Sequence, residues 1–176
     1  MNFLFDTVWI LAAVFLQLLS GNIAASCFPF ALCGLMVFAM RRNSSAAVVL
    51  AFFSGLIIDF VFGREFAAST ISLPFATAIG CALLPDDPMR YFFGDYIIPG
   101  CAAVFADGVF RTLSPLFFGE EWYYLVQQGE EVMLSTVIAA GIFPLWVLLC
   151  DRFASKLDVS RVFNRTIKFA LRPARR

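Results

Sequence analysis

Long apolar segments separated by short polar ones are the feature that most limits what this chain can fold into. A helix needs about 20 mostly apolar residues to cross the hydrocarbon layer of a membrane. Soluble domains carry about 25% charged residues, whereas this chain carries 15%, with 61% hydrophobic residues. We therefore predict an all-α polytopic membrane protein, a six-transmembrane-helix bundle formed by residues 1–150. The six predicted spans are 3–20, 23–40, 46–63, 67–84, 91–113 and 132–150.

The Lys and Arg residues predict how these spans are oriented. Cytoplasmic loops of membrane proteins carry an excess of both residues. If the basic C-terminal tail is cytoplasmic, six spans also put the N-terminus, Arg41, Arg42 and Arg90 in the cytoplasm. Eleven of the thirteen Lys and Arg residues are then on that side. The connection 119–131, which has four glutamates and no Lys or Arg, then faces outside.

The first span could instead be a cleaved signal peptide. Signal peptides carry positive charge before their apolar run, but here the only charged residue before that run is Asp6. We therefore treat this segment as the first transmembrane helix.

The segment after the last span, residues 151–176, is a basic tail. It contains eight Lys or Arg residues against Asp151 and Asp158, and its apolar residues follow helical spacing from Val159 to Leu171. This pattern predicts a basic amphipathic helix on the cytoplasmic side. Such helices lie at the surface of anionic membranes, where each basic residue contributes about 1 kcal/mol. The tail either anchors the bundle on lipid or docks to a cytoplasmic partner.

Asp59 is a candidate site residue because it stands inside an apolar span. A charge at the centre of a bilayer costs about 2.5–3.5 kcal/mol on insertion scales, so a partner should compensate for it. Small residues recur every four positions around Asp59, and membrane helices pack closely through such residues. We predict that Asp59 faces another helix, whose hydroxyls or backbone, or a water, supply hydrogen-bond donors. The small residues are Ala47, Ala51, Gly55, Gly63 and Ala67.

A second acidic residue, Asp107, lies in the fifth predicted span. Arg111 follows it one helical turn later, and an acid and a base at this spacing can pair along a helix. We predict that this pair forms a second polar contact that stabilises the bundle. Pro144, in the middle of the last span, removes a backbone hydrogen bond and is expected to bend the helix.

The spacing Gly55, Asp59, Gly63 resembles a motif in the third span of the bacterial rod shape-determining MreD family. The segment "VFADGVFR" around Asp107 and the last span "LSTVIAAGIFPLWVLLCDRF", with Pro144 at its centre, resemble the corresponding spans of that family. The chain length and the number of predicted spans agree as well. The resemblance covers about residues 8–155, whereas Arg64 and Glu65 depart from the small polar turn usual in the family.

The resemblance implies a non-enzymatic scaffold of the bacterial elongation machinery, which synthesises peptidoglycan. It implies an inner-membrane protein that binds the bitopic MreC and works with RodA, a class B penicillin-binding protein and MreB. On this view the partner loop carries Trp122, Tyr123 and Tyr124 as interface anchors. These aromatics could equally be part of the aromatic belt found at membrane interfaces.

Two alternatives stay open. The family's fold is similar to the S components of energy-coupling-factor vitamin transporters, so the chain could bind a small molecule in an outward-opening pocket lined by Gln17, Asp59 and Asp107. It could also be a carrier or enzyme that uses the two intramembrane acids, which are functional candidates by default. The chain has no histidine, the commonest proton shuttle at neutral pH. We expect no catalytic residue, metal, cofactor or nucleic-acid partner.

Overall fold

The computed structural model describes residues 2–21, 29–62, 68–84, 93–113 and 122–157, and over these ranges the chain is all-helical, as predicted. Several described helices are shorter than the predicted spans. The second begins at Phe30 rather than at 23, and the fourth ends at Ala82. The helices are α1 (Asn2–Gly21), α2 (Phe30–Arg41), α3 (Ser44–Val61), α4 (Ala68–Ala82), α5 (Phe93–Leu113) and α6 (Trp122–Lys156).

The helix α2 is at the centre of the bundle. Its sequence up to Met40 contains no polar side chain, and a helix that is apolar on every side is normally a buried one. All nine residues from Ala31 to Ala39 are buried, and α2 packs against each of the other five helices. One core cluster includes Met36 of α2 and Phe143 of α6. The other includes Leu35 of α2 and Leu73 of α4.

The outer surface of the bundle carries many large apolar side chains. Two helical segments, Ser44–Val61 and Gly129–Lys156, are long and apolar enough to cross a membrane. Only 33% and 28% of their apolar 18-residue stretches are buried inside the protein. Three shorter apolar helices are Leu4–Ser20, Phe30–Arg41 and Ala68–Ala82. Extensive exposed apolar surface marks contact with a membrane or another protein. The fold is therefore compatible with a helical membrane protein.

The last helix begins earlier than predicted. We predict a loop over 119–131 and a helix from 132, but α6 already begins at Trp122 and continues to Lys156. Residues 122–131 contain no proline and several good helix formers, so here polar residues extend a helix instead of interrupting it. At about 1.5 Å per residue, the 35 residues of α6 exceed the thickness of the hydrocarbon layer. The helix is continuous through Pro144 and past residue 150, where the predicted transmembrane domain ends.

The two ends of the bundle are identified by side-chain contacts between helices. At one end, the start of α1 meets the end of α2, since Asp6 contacts Arg41, and the end of α6, since the rings of Trp9 and Phe153 are 5.9 Å apart. We call this the Arg41 end. At the other end, the end of α3 meets the start of α4, because Asp59 contacts Thr70. We call this the Asp59 end.

Candidate functional site

The carboxylate of Asp59 binds the beginning of α4. Its Oδ1 accepts a hydrogen bond from the backbone N–H of Ser69 at 3.2 Å. Its Oδ2 accepts from the backbone N–H of Thr70 at 2.7 Å and from the Thr70 hydroxyl at 2.8 Å. The side chain is only 5% exposed. Asp59 therefore faces protein, and its donors are a hydroxyl and backbone amides, two of the kinds that the sequence predicted.

This contact meets the needs of two helices. The first N–H groups of any α-helix lack partners within the helix, and in hydrocarbon they have no water to bind. Acidic side chains are also favourable near a helix N-terminus, where the helix dipole is positive. Most helices take their cap from the residue just before them, as α3 does from Asn43. Asp59, in the last turn of α3, caps the start of α4 from a neighbouring helix.

The close approach of α3 to α4 depends on Gly55. A Cβ atom at this position would meet the backbone carbonyl oxygen of Ser69, and it would lie 2.6 Å from the Ser69 carbonyl carbon and 2.7 Å from the Cα of Thr70. These are backbone atoms, which cannot move aside as a flexible side chain can. The neighbouring Ala47 and Ala51 are completely buried on the same face. Gly63 and Ala67 lie outside the described residues.

Asp107 and Arg111 form the predicted pair within α5. Arg111 Nε and Asp107 Oδ2 are 2.9 Å apart, and the two side chains are 26% and 13% exposed. The Nε–H is not directed at the carboxylate, so this contact is an ion pair rather than a hydrogen bond. The other carboxylate oxygen, Oδ1, is buried and has no hydrogen-bond partner among the described residues. The pair therefore leaves one acceptor of Asp107 unused in the described structure.

These two residues line a cavity at the Asp59 end of the bundle, which we call the central cavity. It has a volume of about 260 Å³ and receives residues from all six helices. Its polar lining includes Asp107, Arg111 and Glu131, the last of which the sequence did not single out. The described lining residues are Gln17, Pro29, Ala31, Leu32, Ile58, Ala68, Leu73, Val104, Asp107, Gly108, Arg111, Thr112, Glu131, Val132 and Ser135.

The structure therefore divides the predicted site residues. Gln17 and Asp107 share the central cavity, as the pocket hypothesis requires, but Asp59 is not among its described lining residues. Gln17 also links the end of α1 to the start of α2, because its Oε1 accepts a hydrogen bond from the Ala31 N–H at 3.4 Å.

The remaining predicted site residues are in α6. Pro144 is in the middle of α6, outside the described lining of this cavity. Trp122, Tyr123 and Tyr124 are in the first turn of α6, and their side chains lie outside the described part of the chain.

A third polar cluster, at the Arg41 end, was not predicted. Asp6 accepts from Arg41 Nε through Oδ1 and from Arg42 Nε through Oδ2, both at 2.7 Å. The side chain of Arg41 is buried, with its guanidinium 4.9 Å from the centre of the Phe5 ring and its Nη1 3.9 Å from Cys150 Sγ. The predicted topology already put Asp6 and Arg41 on the same side of the membrane. This shared side was the sequence feature that pointed to the cluster, and it could not establish contact between residues so far apart in sequence.

The described residues contain no group of three potential metal ligands of the His, Cys, Asp or Glu type. The basic tail after residue 157 lies outside the described residues.

No protein-family model, curated protein or solved structure matches this chain.

Proposed function

We propose that this chain is a non-enzymatic scaffold of the bacterial elongation machinery, which spans the inner membrane six times and binds an MreC-like bitopic protein. Its further partners would be RodA, a class B penicillin-binding protein and MreB. The proposal rests on the MreD-like motifs of the sequence together with one structural observation. That observation is the contact of Asp59 with the start of α4.

The environment of Asp59 favours a structural role for the motif that carries the resemblance. Both carboxylate oxygens accept hydrogen bonds from α4, and Gly55 brings the two helices together. A proton carrier needs a carboxyl group that can exchange its proton with water along a path. An acid that caps a buried helix end serves instead to hold two helices in a fixed arrangement.

The contacts at the Arg41 end support the proposed topology, with both termini in the cytoplasm. The start of α1 and the ends of α2 and α6 meet there through Asp6, Arg41 and Cys150. Helices that alternate in direction across a membrane bring these three ends to one side. The positive charge of Arg41, Arg42 and the tail favours the cytoplasm for this side.

Crosslinking from two positions of α6 tests the partner. A photo-crosslinking residue replaces Tyr124, at the outer end of α6, or Phe153, at the cytoplasmic end, and the full chain is then purified from its native membrane. We expect a bitopic MreC-like protein to crosslink from position 124 and much less from position 153. The scaffold proposal fails if no such protein is captured, or if an energy-coupling ATPase complex is isolated in its place.

The central cavity favours a second candidate function, that of a substrate-binding S component. It lies at the end that we propose to face outside, and polar residues of α1, α5 and α6 line it. The chain purified with its native lipids should then retain a small molecule that native mass spectrometry detects. Capture of energy-coupling subunits in the crosslinking experiment would favour this candidate over the scaffold.

A further inference from the structure

The end of α6 carries two basic side chains that extend away from the bundle. Arg152 and Lys156 are one helical turn apart and both are exposed. On the opposite side of the same turns, Cys150 and Ala154 are completely buried against the bundle. Because residues four apart share one face of a helix, these contacts fix the direction in which the basic side chains extend. We call Arg152 and Lys156 the α6 basic pair.

Burial separates acidic from basic side chains at this end of the bundle. Asp6 and Asp151 are only 3% and 7% exposed, and Asp6 binds Arg41 and Arg42. Neither member of the α6 basic pair forms an ion pair in the described structure. The pair therefore presents two positive charges on the outer surface of the helix.

The length of the apolar face of α6 positions this pair relative to a membrane. Every exposed residue of α6 between Glu131 and Arg152 is apolar. This stretch is about 30 Å long at about 1.5 Å per residue, which matches the thickness of the hydrocarbon layer. If α6 crosses a membrane as proposed, Arg152 lies at the edge of the hydrocarbon. Lys156, one turn further, then lies in the layer of lipid headgroups.

The exposed neighbours of the pair suit a lipid. Leu149 and Phe153 are 44% and 48% exposed, and helical spacing puts them beside the basic pair on the outer face of α6. Apolar side chains at this depth contact acyl chains, while Lys and Arg side chains extend their charged ends toward the headgroups. A phospholipid with a net negative headgroup complements both the apolar and the charged part of this surface.

We propose that the α6 basic pair binds the headgroup of an anionic phospholipid, whose acyl chain packs on Leu149 and Phe153. Arg152 and Lys156 donate hydrogen bonds to the lipid phosphate, which is a strong acceptor for charged donors. The inference rests on the membrane-spanning orientation of α6 in the proposed function, and not on the identity of the protein partner. It gives the bundle a lipid contact that is separate from the basic tail.

Native mass spectrometry of the full chain in detergent tests the chemistry of the ligand. Phosphatidylglycerol and phosphatidylcholine with the same acyl chains are titrated separately, and glycerol phosphate is then added as a competitor. We expect phosphatidylglycerol to bind about ten-fold more tightly or better, because only its headgroup has a net negative charge. Glycerol phosphate, which has no acyl chain, should not displace it. Equal affinity for the two lipids, or displacement by glycerol phosphate, overturns the proposal.

Single substitutions locate the site. Arg152→Gln and Lys156→Gln should each weaken phosphatidylglycerol binding about five-fold, since each removes one basic residue next to an anionic headgroup, and should leave phosphatidylcholine binding unchanged. Arg42→Gln is the matched control, because Arg42 is at the same end of the bundle but is bound to Asp6. It should change the affinity by less than about two-fold. Equal effects of all three substitutions, or unchanged affinity in both α6 variants, overturn the proposal.

A variant with an uncharged tail distinguishes the α6 basic pair from the basic tail as the lipid site. This full-chain variant should keep its preference for phosphatidylglycerol over phosphatidylcholine, and Arg152→Gln should still reduce that preference. Loss of the preference while the α6 basic pair is intact would identify the tail as the site and overturn the proposal. The tail residues replaced by glutamine are Arg161, Arg165, Lys168 and Arg172.

A last variant tests whether acids of the chain itself occupy the site. Asp86 and Asp87 lie between α4 and α5 in the sequence, in a connection that the proposed topology puts on the same side as the α6 basic pair. If replacement of both by asparagine tightens phosphatidylglycerol binding about ten-fold or more, these acids are the occupants and the proposal is overturned. A smaller change supports it. Capture of an MreC-like protein from position 124 is measured separately, so failure of the lipid proposal and failure of the scaffold proposal are distinguishable.

Discussion

At the scale of single residues, Asp59 shows how a charged side chain can stabilise an apolar bundle. Its burial would be costly if the carboxylate were isolated, but two backbone amides and a hydroxyl of α4 bind it. The same amides would otherwise be unsatisfied at a helix start. Asp107 differs, because it pairs within its own helix and keeps one oxygen free for the central cavity.

Replacement of Asp59 by leucine should destabilise the bundle strongly. The substitution removes the cap and leaves the amides of Ser69 and Thr70 without their acceptor, which should cost about 2–4 kcal/mol. Glu130→Leu removes an acid from an exposed position of α6 and should have little effect. The measurement is the thermal unfolding midpoint of the purified protein in detergent, with partner capture as a second readout. Equal effects of the two substitutions would contradict the assigned role of Asp59.

Two glycine substitutions of the same size should have opposite effects. Gly55→Ala places a methyl group against the backbone of Ser69 and Thr70, and such overpacking costs about 1–3 kcal/mol. Gly141→Ala meets nothing within 4 Å and should stabilise α6 by about 0.5–1 kcal/mol, because alanine favours helix more than glycine does. The unfolding midpoints of both variants decide the matter. A stable Gly55→Ala variant would mean that α3 and α4 are not in close contact.

At the scale of helices, the sequence predicted local features better than distant contacts. The apolar runs located the helices, the four-residue spacing paired Asp107 with Arg111, and the small residues put Asp59 against a neighbouring helix. The start of α6 was missed because glutamates and glutamines are typical both of loops and of helix ends outside a membrane. The contact of Asp6 with Arg41 was missed because it depends on how α1 and α2 pack, which no local pattern encodes.

At the Arg41 end, two ion pairs of equal length should differ in how much stability is lost when each is removed. Arg41 and Arg42 both lie 2.7 Å from Asp6, but their side chains are 4% and 38% exposed. Asp6→Asn leaves Arg41 buried without its counter-charge and should cost about 3–5 kcal/mol. Arg42→Gln removes a partly exposed arginine and leaves Asp6 paired with Arg41, so it should cost at most about 1 kcal/mol. Thermal unfolding of both variants tests this order, and equal losses would show that burial does not govern the cluster.

At the scale of the whole molecule, the arrangement of helix ends connects packing with topology. Arg41 and Arg42 lie at the Arg41 end, while the central cavity lies at the Asp59 end. The proposed orientation therefore places the cavity toward the outside and these two arginines in the cytoplasm. A cavity and a basic surface at opposite ends suit a protein that works on both faces of a membrane.

Reporter fusions test this orientation directly. Alkaline phosphatase fused after residue 118, between α5 and α6, should be active because the proposed topology puts that connection outside. The same enzyme fused after residue 88, between α4 and α5, should be inactive, and green fluorescent protein at the N-terminus should fluoresce. An active phosphatase after residue 88 would require a different number of spans.

The cap that α3 provides for α4 also has a consequence for biogenesis. If the helices cross a membrane as proposed, α3 enters it before α4, and the Asp59 carboxylate then has no helix start to bind. When α4 follows, its first backbone amides also lack a hydrogen-bond partner in hydrocarbon. Insertion one helix at a time would expose both groups to lipid, whereas release of the two as a hairpin satisfies them together. The insertion machinery should therefore hold α3 until α4 arrives, and a truncated chain that ends after α3 should remain at the translocon.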